Sequence, residues 1–221
     1  MRRSEVTMTT ALPDPVPTSA EPPPAQPTTT ANAPEPLLAL TLHPEWAGAI
    51  CHLGKDCENR TWEPPGPLPR WIAIHAGATT GGTPGIAGRV AALEVVTRTA
   101  LRAGWKLMRG GTLAHDESGQ RVRLTDLDAQ RSAIVAVVRI ASFDTKTRSA
   151  WDAAGQVHWR ADAVVVLAHP IPAVGRQKLW AVDAATDETL RLAIRSAETM
   201  RGEPLGVGPE RFVFRDLRRS T

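Results

Sequence analysis

Apolar residues fall in short blocks separated by turn residues along most of the chain, and the spacing within each block predicts its element. LLALTL, residues 37–42, is nearly continuous and predicts a buried strand ending at His43. Pro44 suits the first turn of a helix, where its missing N–H costs nothing. Trp46, Ala49, Ile50 and Leu53 follow at three- and four-residue spacing, which is one apolar helical face, and Gly54 stands where the helix should end. WIAIHAG predicts a second buried strand, and Ile86 to Ala103 a second helix with Val90, Leu93, Val96 and Leu101 among its apolar positions. The turn-rich stretch 104–129 predicts a hairpin or loop insertion. SAIVAVVRIASF is the strongest strand signal, β-branched and almost unbroken. Val164 to Leu167 and KLWAVD predict further strands, and DETLRLAIRSAETMR an amphipathic helix with acidic residues at its start, as the helix dipole favours. RFVFRDLRRST alternates Phe212, Val213 and Phe214 with charge, which predicts an edge strand or short arm. Strands interrupted by two or three helices, without regular βαβ alternation, predict an α+β fold built on a barrel or curled sheet.

Residues 1–36 break this pattern. They hold nine of the nineteen prolines and scarcely any large apolar side chain, so a disordered tail with polyproline II character is expected. Such a tail is also a possible docking ligand for a protein partner. It carries two arginines against four acidic residues, so the formal +3 of the whole chain leaves +5 on the remainder. That is basic enough to suit a polyanion without requiring one. Seven Trp beside three Phe and no Tyr leave a few indoles to dominate the core. The start, MRRSEVTMTT, has no apolar stretch behind its arginines, and no run reaches the roughly 18 residues of a membrane span, so neither a secretory signal nor a membrane partner is expected. Cys51 and Cys57 cannot make a disulfide framework, and reduced thiols point to a cytoplasmic location.

Several common site patterns are missing. GGTPGIAGR lacks the GK[ST] ending of a P-loop, and there is no G-x-S-x-G, H-E-x-x-H or paired C-x-x-C. His43, Cys51, His52 and Cys57 match no usual zinc spacing, so no metal and no cofactor is expected.

HPEWAGAICHLGKDCENRTW, followed by a strand ending in IHAG, resembles the ASCH family. The matching residues are His43, Pro44, Trp46 and Ala47, then Gly54, Lys55, Glu58 and Arg60, then His75 and Ala76. SAIVAVVRI is similar to the family's central strand, and PIPAVGRQKLW, with Pro170, Pro172, Gly175 and Trp180, to its closing element. The resemblance covers roughly residues 37–183 and departs from the commoner Pro-Trp adjacency by the extra residue in HPEWA. It implies a PUA-like β-barrel of about five to six strands flanked by helices, with 184–221 as a C-terminal helix and arm packing on it. It also implies binding of RNA or a modified nucleoside. The binding residues expected on this basis are His43, Trp46, Asn59, Arg60, Trp62, His75, Ala76 and Lys178.

Some ASCH proteins are amidohydrolases that deacylate 4-acetylcytidine with a lysine, a threonine three residues later and a separate glutamate. Here Lys55 matches the lysine, but Glu58 occupies the threonine's place, so Lys55 and Glu58 are the catalytic pair only if the chain is an enzyme. Their chemistry suits either role. Lys55 and Arg60 supply cations, Glu58 can accept from a base's amino group or activate water, and Trp46 or Trp62 can stack on a base. The competing reading is a solvated row of Lys55, Glu58 and Arg60 that is cheap to replace. Arg60 is equally suited to clamping Glu58 or a loop carbonyl, and His75 to being a satisfied histidine at a strand end.

Overall fold

The computed structural model describes residues 35–81 and 85–199, together with the backbone of 212–216; the tail expected over 1–36 lies almost wholly outside them. Ten strands and three α-helices follow one another as β1 (Leu38–Leu42), α1 (Pro44–His52), β2 (Cys57–Arg60), β3 (Arg70–Ala76), α2 (Ile86–Arg102), β4 (Lys106–Met108), β5 (Thr112–Ala114), β6 (Arg121–Arg123), β7 (Ala133–Asp144), β8 (Val157–Pro172), β9 (Leu179–Ala181), α3 (Ala184–Thr199) and β10 (Phe212–Asp216). The class is α+β. The main sheet runs β10-β8-β7-β3-β1-β9 and curls into a half-barrel, with β2 also paired to β8. Among the described residues only β1 and β3 are parallel; the other pairs are antiparallel.

Period-two alternation assigns each strand two faces. Leu40, Leu42, Ile72, Ile74, Val138, Ile140 and Val164 pack on one face with Ile50 and Cys51 of α1. Ala39, Ala73, Val137 and Val165 pack on the other with Leu190, Ala193, Ile194 and Ala197 of α3. These helical positions recur at three and four residues, so α3 presents one apolar stripe to the sheet. Its start is fixed by Asp183, whose carboxylate accepts the backbone N–H and hydroxyl of Thr186 at 2.9 and 2.7 Å.

The stretch 104–129 is more ordered than a hairpin. β4, β5 and β6 form a separate three-stranded sheet, which packs Leu113 and Val122 with Trp105, Val96 and Ala100 against Ala49 of α1 and its C-cap, Leu53. On α2 the buried side is Val96, Thr97, Thr99 and Ala100, whereas Val90 and Leu101 face solvent. The other correction is β8. The sequence predicts a strand from Val164, yet it begins at Val157, because VHWRADA pairs with both β2 and β7 without needing an apolar run.

Candidate functional site

Helix α1 ends through Leu53, and Gly54 turns the chain with φ +69°, a conformation that favours glycine. That turn sends Lys55 inward rather than out to solvent. Its side chain is 2% exposed, and its ammonium donates to the Cys57 carbonyl and, at 2.8 Å, to Glu58 Oε2. Glu58 Oε1 lies 3.1 Å from Arg60 Nη2. Exposure rises along the row, from 2% at Lys55 to 12% at Glu58 and 26% at Arg60, so the cluster leads from the interior to the surface. It is therefore not a solvated row. Behind it is a cavity of about 10 Å³, enough for one water, lined by Lys55, Glu58, Leu40, Ile72, Ile140 and Trp159. Arg60 Nε is buried with no hydrogen-bond partner among the described residues, and Nη2 reaches the Thr41 carbonyl at 3.5 Å. Arg60 thus clamps Glu58 and still has a donor to spare.

Trp62 is half-buried beside this site. It meets Trp159 edge-on at 4.6 Å, and Trp159 Nε1 donates to the Trp62 carbonyl at 2.9 Å. Trp159 lines the cavity and is fully buried, and nothing in the sequence marked it as different from the other indoles.

The remaining sequence-predicted residues are dispersed. Asn59 points away from Glu58, as alternation along β2 requires. Its amide donates to the Trp151 carbonyl at 2.8 Å, and its oxygen accepts from the Ala153 N–H at 3.1 Å and His158 Nδ1 at 2.8 Å. His75 lies on the α3 face of β3, opposite Ile74. His43 is exposed and donates to the Thr79 carbonyl at 3.1 Å. Trp46 is wedged between two core clusters, Ala76 is fully buried, and Lys178 is exposed with φ +58°. A larger hollow of about 200 Å³ lies along α1, lined by Ala47, Cys51, Ala76, Leu127, Val135 and Val166 among others.

His75 is closely held. Nε2 donates to the Ala173 carbonyl at 3.0 Å, the ring meets Trp180 edge-on at 5.7 Å, and a Cβ added at Gly175 would come within 2.5 Å of Cε1. Burial pushes its imidazole below the ordinary histidine pKa, partly offset by the Ala173 hydrogen bond. A neutral buried histidine leaves the unfolded chain to take up the proton first. Its contribution is therefore complete above the unfolded value of about 6.5 and is lost as pH falls below it. Melting temperature is expected to drop between pH 7 and pH 5, and to drop less in His75→Gln; equal slopes in thermal melts would show that His75 titrates alike in both states.

On the opposite side of β2 from Glu58 lies a second polar cluster. Cys57, His158 of β8 and Asp152 of the preceding loop are brought together, with one potential ligand atom from each within 4.8 Å of the others. Asp152 accepts the backbone N–H groups of Arg148 and Ser149 at 2.6 and 2.8 Å, and Arg160 Nη1 at 2.6 Å. Burial alone would raise the Asp152 pKa, but these bonds and one from Cys57 hold it well below the usual carboxylate range. Burial pushes the Cys57 thiol far above its ordinary value, against the lowering influence of Lys55. Sequence reasoning missed this cluster because almost a hundred residues separate Cys57 from its partners.

No family model matches the chain, and no curated protein matches it. Among the described residues no helix is long and apolar enough to cross a membrane.

Proposed function

We propose that the chain is an ASCH-like, PUA-like module that binds RNA or a modified nucleoside in a cytoplasmic setting, with Lys55, Glu58 and Arg60 as the recognition residues. The observation that carries this reading is the burial of Lys55 at the polar end of an otherwise apolar cavity. A buried ion pair contributes little net stability over apolar residues of the same volume, so a structural role alone gives weak reason for one here. Its neighbours suit a nucleobase. Glu58 accepts from an exocyclic amine, the partly exposed Arg60 guanidinium donates to a carbonyl, and Trp62 offers an aromatic surface. A cavity with room for one water takes a single ligand group, so the base itself rests at the mouth.

A thermal-shift screen of nucleosides, nucleotides and short RNAs tests this, since a ligand that binds only the folded state raises the melting temperature. Wild type is expected to be stabilised, and Glu58→Gln to weaken binding by tenfold or more. For an RNA strand the affinity should fall steeply with salt as counterions are released; for a lone nucleoside it should not. If none of these ligands shifts the wild type, or Glu58→Gln binds as tightly, the site assignment is wrong.

The water-sized cavity beside the Lys55–Glu58 pair also favours a second reading, an amidohydrolase acting on an N-acylated cytidine or related nucleoside. Glu58 would serve as general base to the water and Lys55 would stabilise the oxyanion. Against it, both Glu58 oxygens are already engaged by cations. Turnover of 4-acetylcytidine by wild type, lost in Glu58→Gln, would decide for the enzyme.

A further inference from the structure

We propose that Cys57, Asp152 and His158 form a buried structural site for one divalent transition-metal ion of the zinc type. The three side chains come from three parts of the chain, the β2 strand, the loop before β8 and β8 itself, and their ligand atoms lie within 4.8 Å of one another. Thiolate, imidazole and carboxylate together are a donor set that zinc favours, and alkaline-earth ions do not. The cluster is closed to solvent: Cys57 is 2% exposed, and the His158 and Asp152 side chains 0%.

Three further observations support a ligand here. His158 Nδ1 lies 3.9 Å from Asp152 Oδ1, and the ring's other nitrogen, Nε2, is buried with no hydrogen-bond partner among the described residues. Asn59 Oδ1, 2.8 Å from His158 Nδ1 and 3.8 Å from Cys57 Sγ, provides either a fourth oxygen or the outer partner that orients the imidazole. The backbone N–H groups of Arg148 and Ser149 hold the Asp152 carboxylate in place, as ligating carboxylates usually are held.

The charges also balance. A divalent ion displaces the thiol proton, which leaves to solvent, and the thiolate and Asp152 then neutralise the cation. Two positive groups lie nearby: Arg160 bridges Asp152 Oδ1 at 2.6 Å and Asp144 Oδ1 at 2.9 Å, so that Asp144 offsets its charge, and Lys55 is offset by Glu58 at 2.8 Å. The metal would pin β2 to β8 and the loop between β7 and β8, on the reverse side of the strand that carries Glu58.

Cobalt titration of the full-length, chelator-treated protein tests the site, because a cobalt–thiolate bond gives an intense charge-transfer band in the near ultraviolet. One equivalent of Co2+ is expected to produce the band and Zn2+ to displace it. Cys51→Ala should keep it, and Cys57→Ala and His158→Gln should lose it, with circular dichroism recorded to confirm that each variant is folded. Absence of a band at stoichiometric cobalt, or a band that persists in folded Cys57→Ala, overturns the proposal. Should neither ligand variant fold, alkylation of wild type in mild urea decides. Zn2+ is expected to slow labelling of Cys57 at least tenfold more than that of Cys51, and equal protection of the two overturns the site.

Discussion

Lys55→Ala is expected to destabilise the protein by about 3 kcal/mol or more, at the lower end of the roughly 3–5 kcal/mol for removing one partner of a buried pair. The lower end applies because Glu58 keeps Arg60 at 3.1 Å when the ammonium is gone. The Cys57 carbonyl also loses a donor. Lys55→Met with Glu58→Gln should recover most of the loss, because both charges go while the volume stays. Urea denaturation of the single and double variants measures this directly. A single variant within about 1 kcal/mol of wild type, the usual range for exposed substitutions, would mean that Lys55 is solvated after all.

The second large effect is expected at Gly48, inside α1. Helix propensity alone predicts that Gly48→Ala should stabilise by about 1 kcal/mol. Packing predicts the opposite. A Cβ there would lie 2.7 Å from both C and Cα of Leu127, and closer still to its carbonyl oxygen. These are backbone atoms, with no flexible end to swing aside, so α1 must move away from the segment it rests on. Overpacking costs about 1–3 kcal/mol, and rigid neighbours place this case at the top of that range. A net loss of about 2 kcal/mol is expected in denaturant melts; a gain would show that the 124–128 segment yields freely.

The elements most legible in the sequence were those whose own burial is reported by an apolar run or stripe. β1, α1, β3, α2 and β7 lie within a residue or two of their predicted limits. β8 was legible only in its second half, because Arg160 and Asp162 are satisfied by Asp144 and Arg139, partners on another strand. Val90 and Leu101, apolar positions of α2, face solvent, because apolar spacing on a helix does not say which side meets the core. At the site, the Lys55–Glu58–Arg60 row was marked by the resemblance to the ASCH pattern. Its burial was not, since that depends on the turn at Gly54 and on strands up to a hundred residues away. His75 and Asn59, close to Glu58 in the ASCH-like pattern, lie on other faces than Glu58, because one step along a strand reverses the face.

The edge of the sheet has a consequence for synthesis of the chain. β1 is made well before its outer neighbour, β9, where Ala181 stands opposite Leu38, and the Leu37 N–H bonds to Asp187 at 2.6 Å. At about 5–20 residues per second, roughly 7–30 s pass on the ribosome before that partner is available. Over that interval LALTL is an apolar strand with one side unpaired, the kind of surface on which nascent chains stick to one another. Slower translation lengthens the exposure, so soluble yield should depend on expression rate and chaperone supply more than the finished fold's stability suggests.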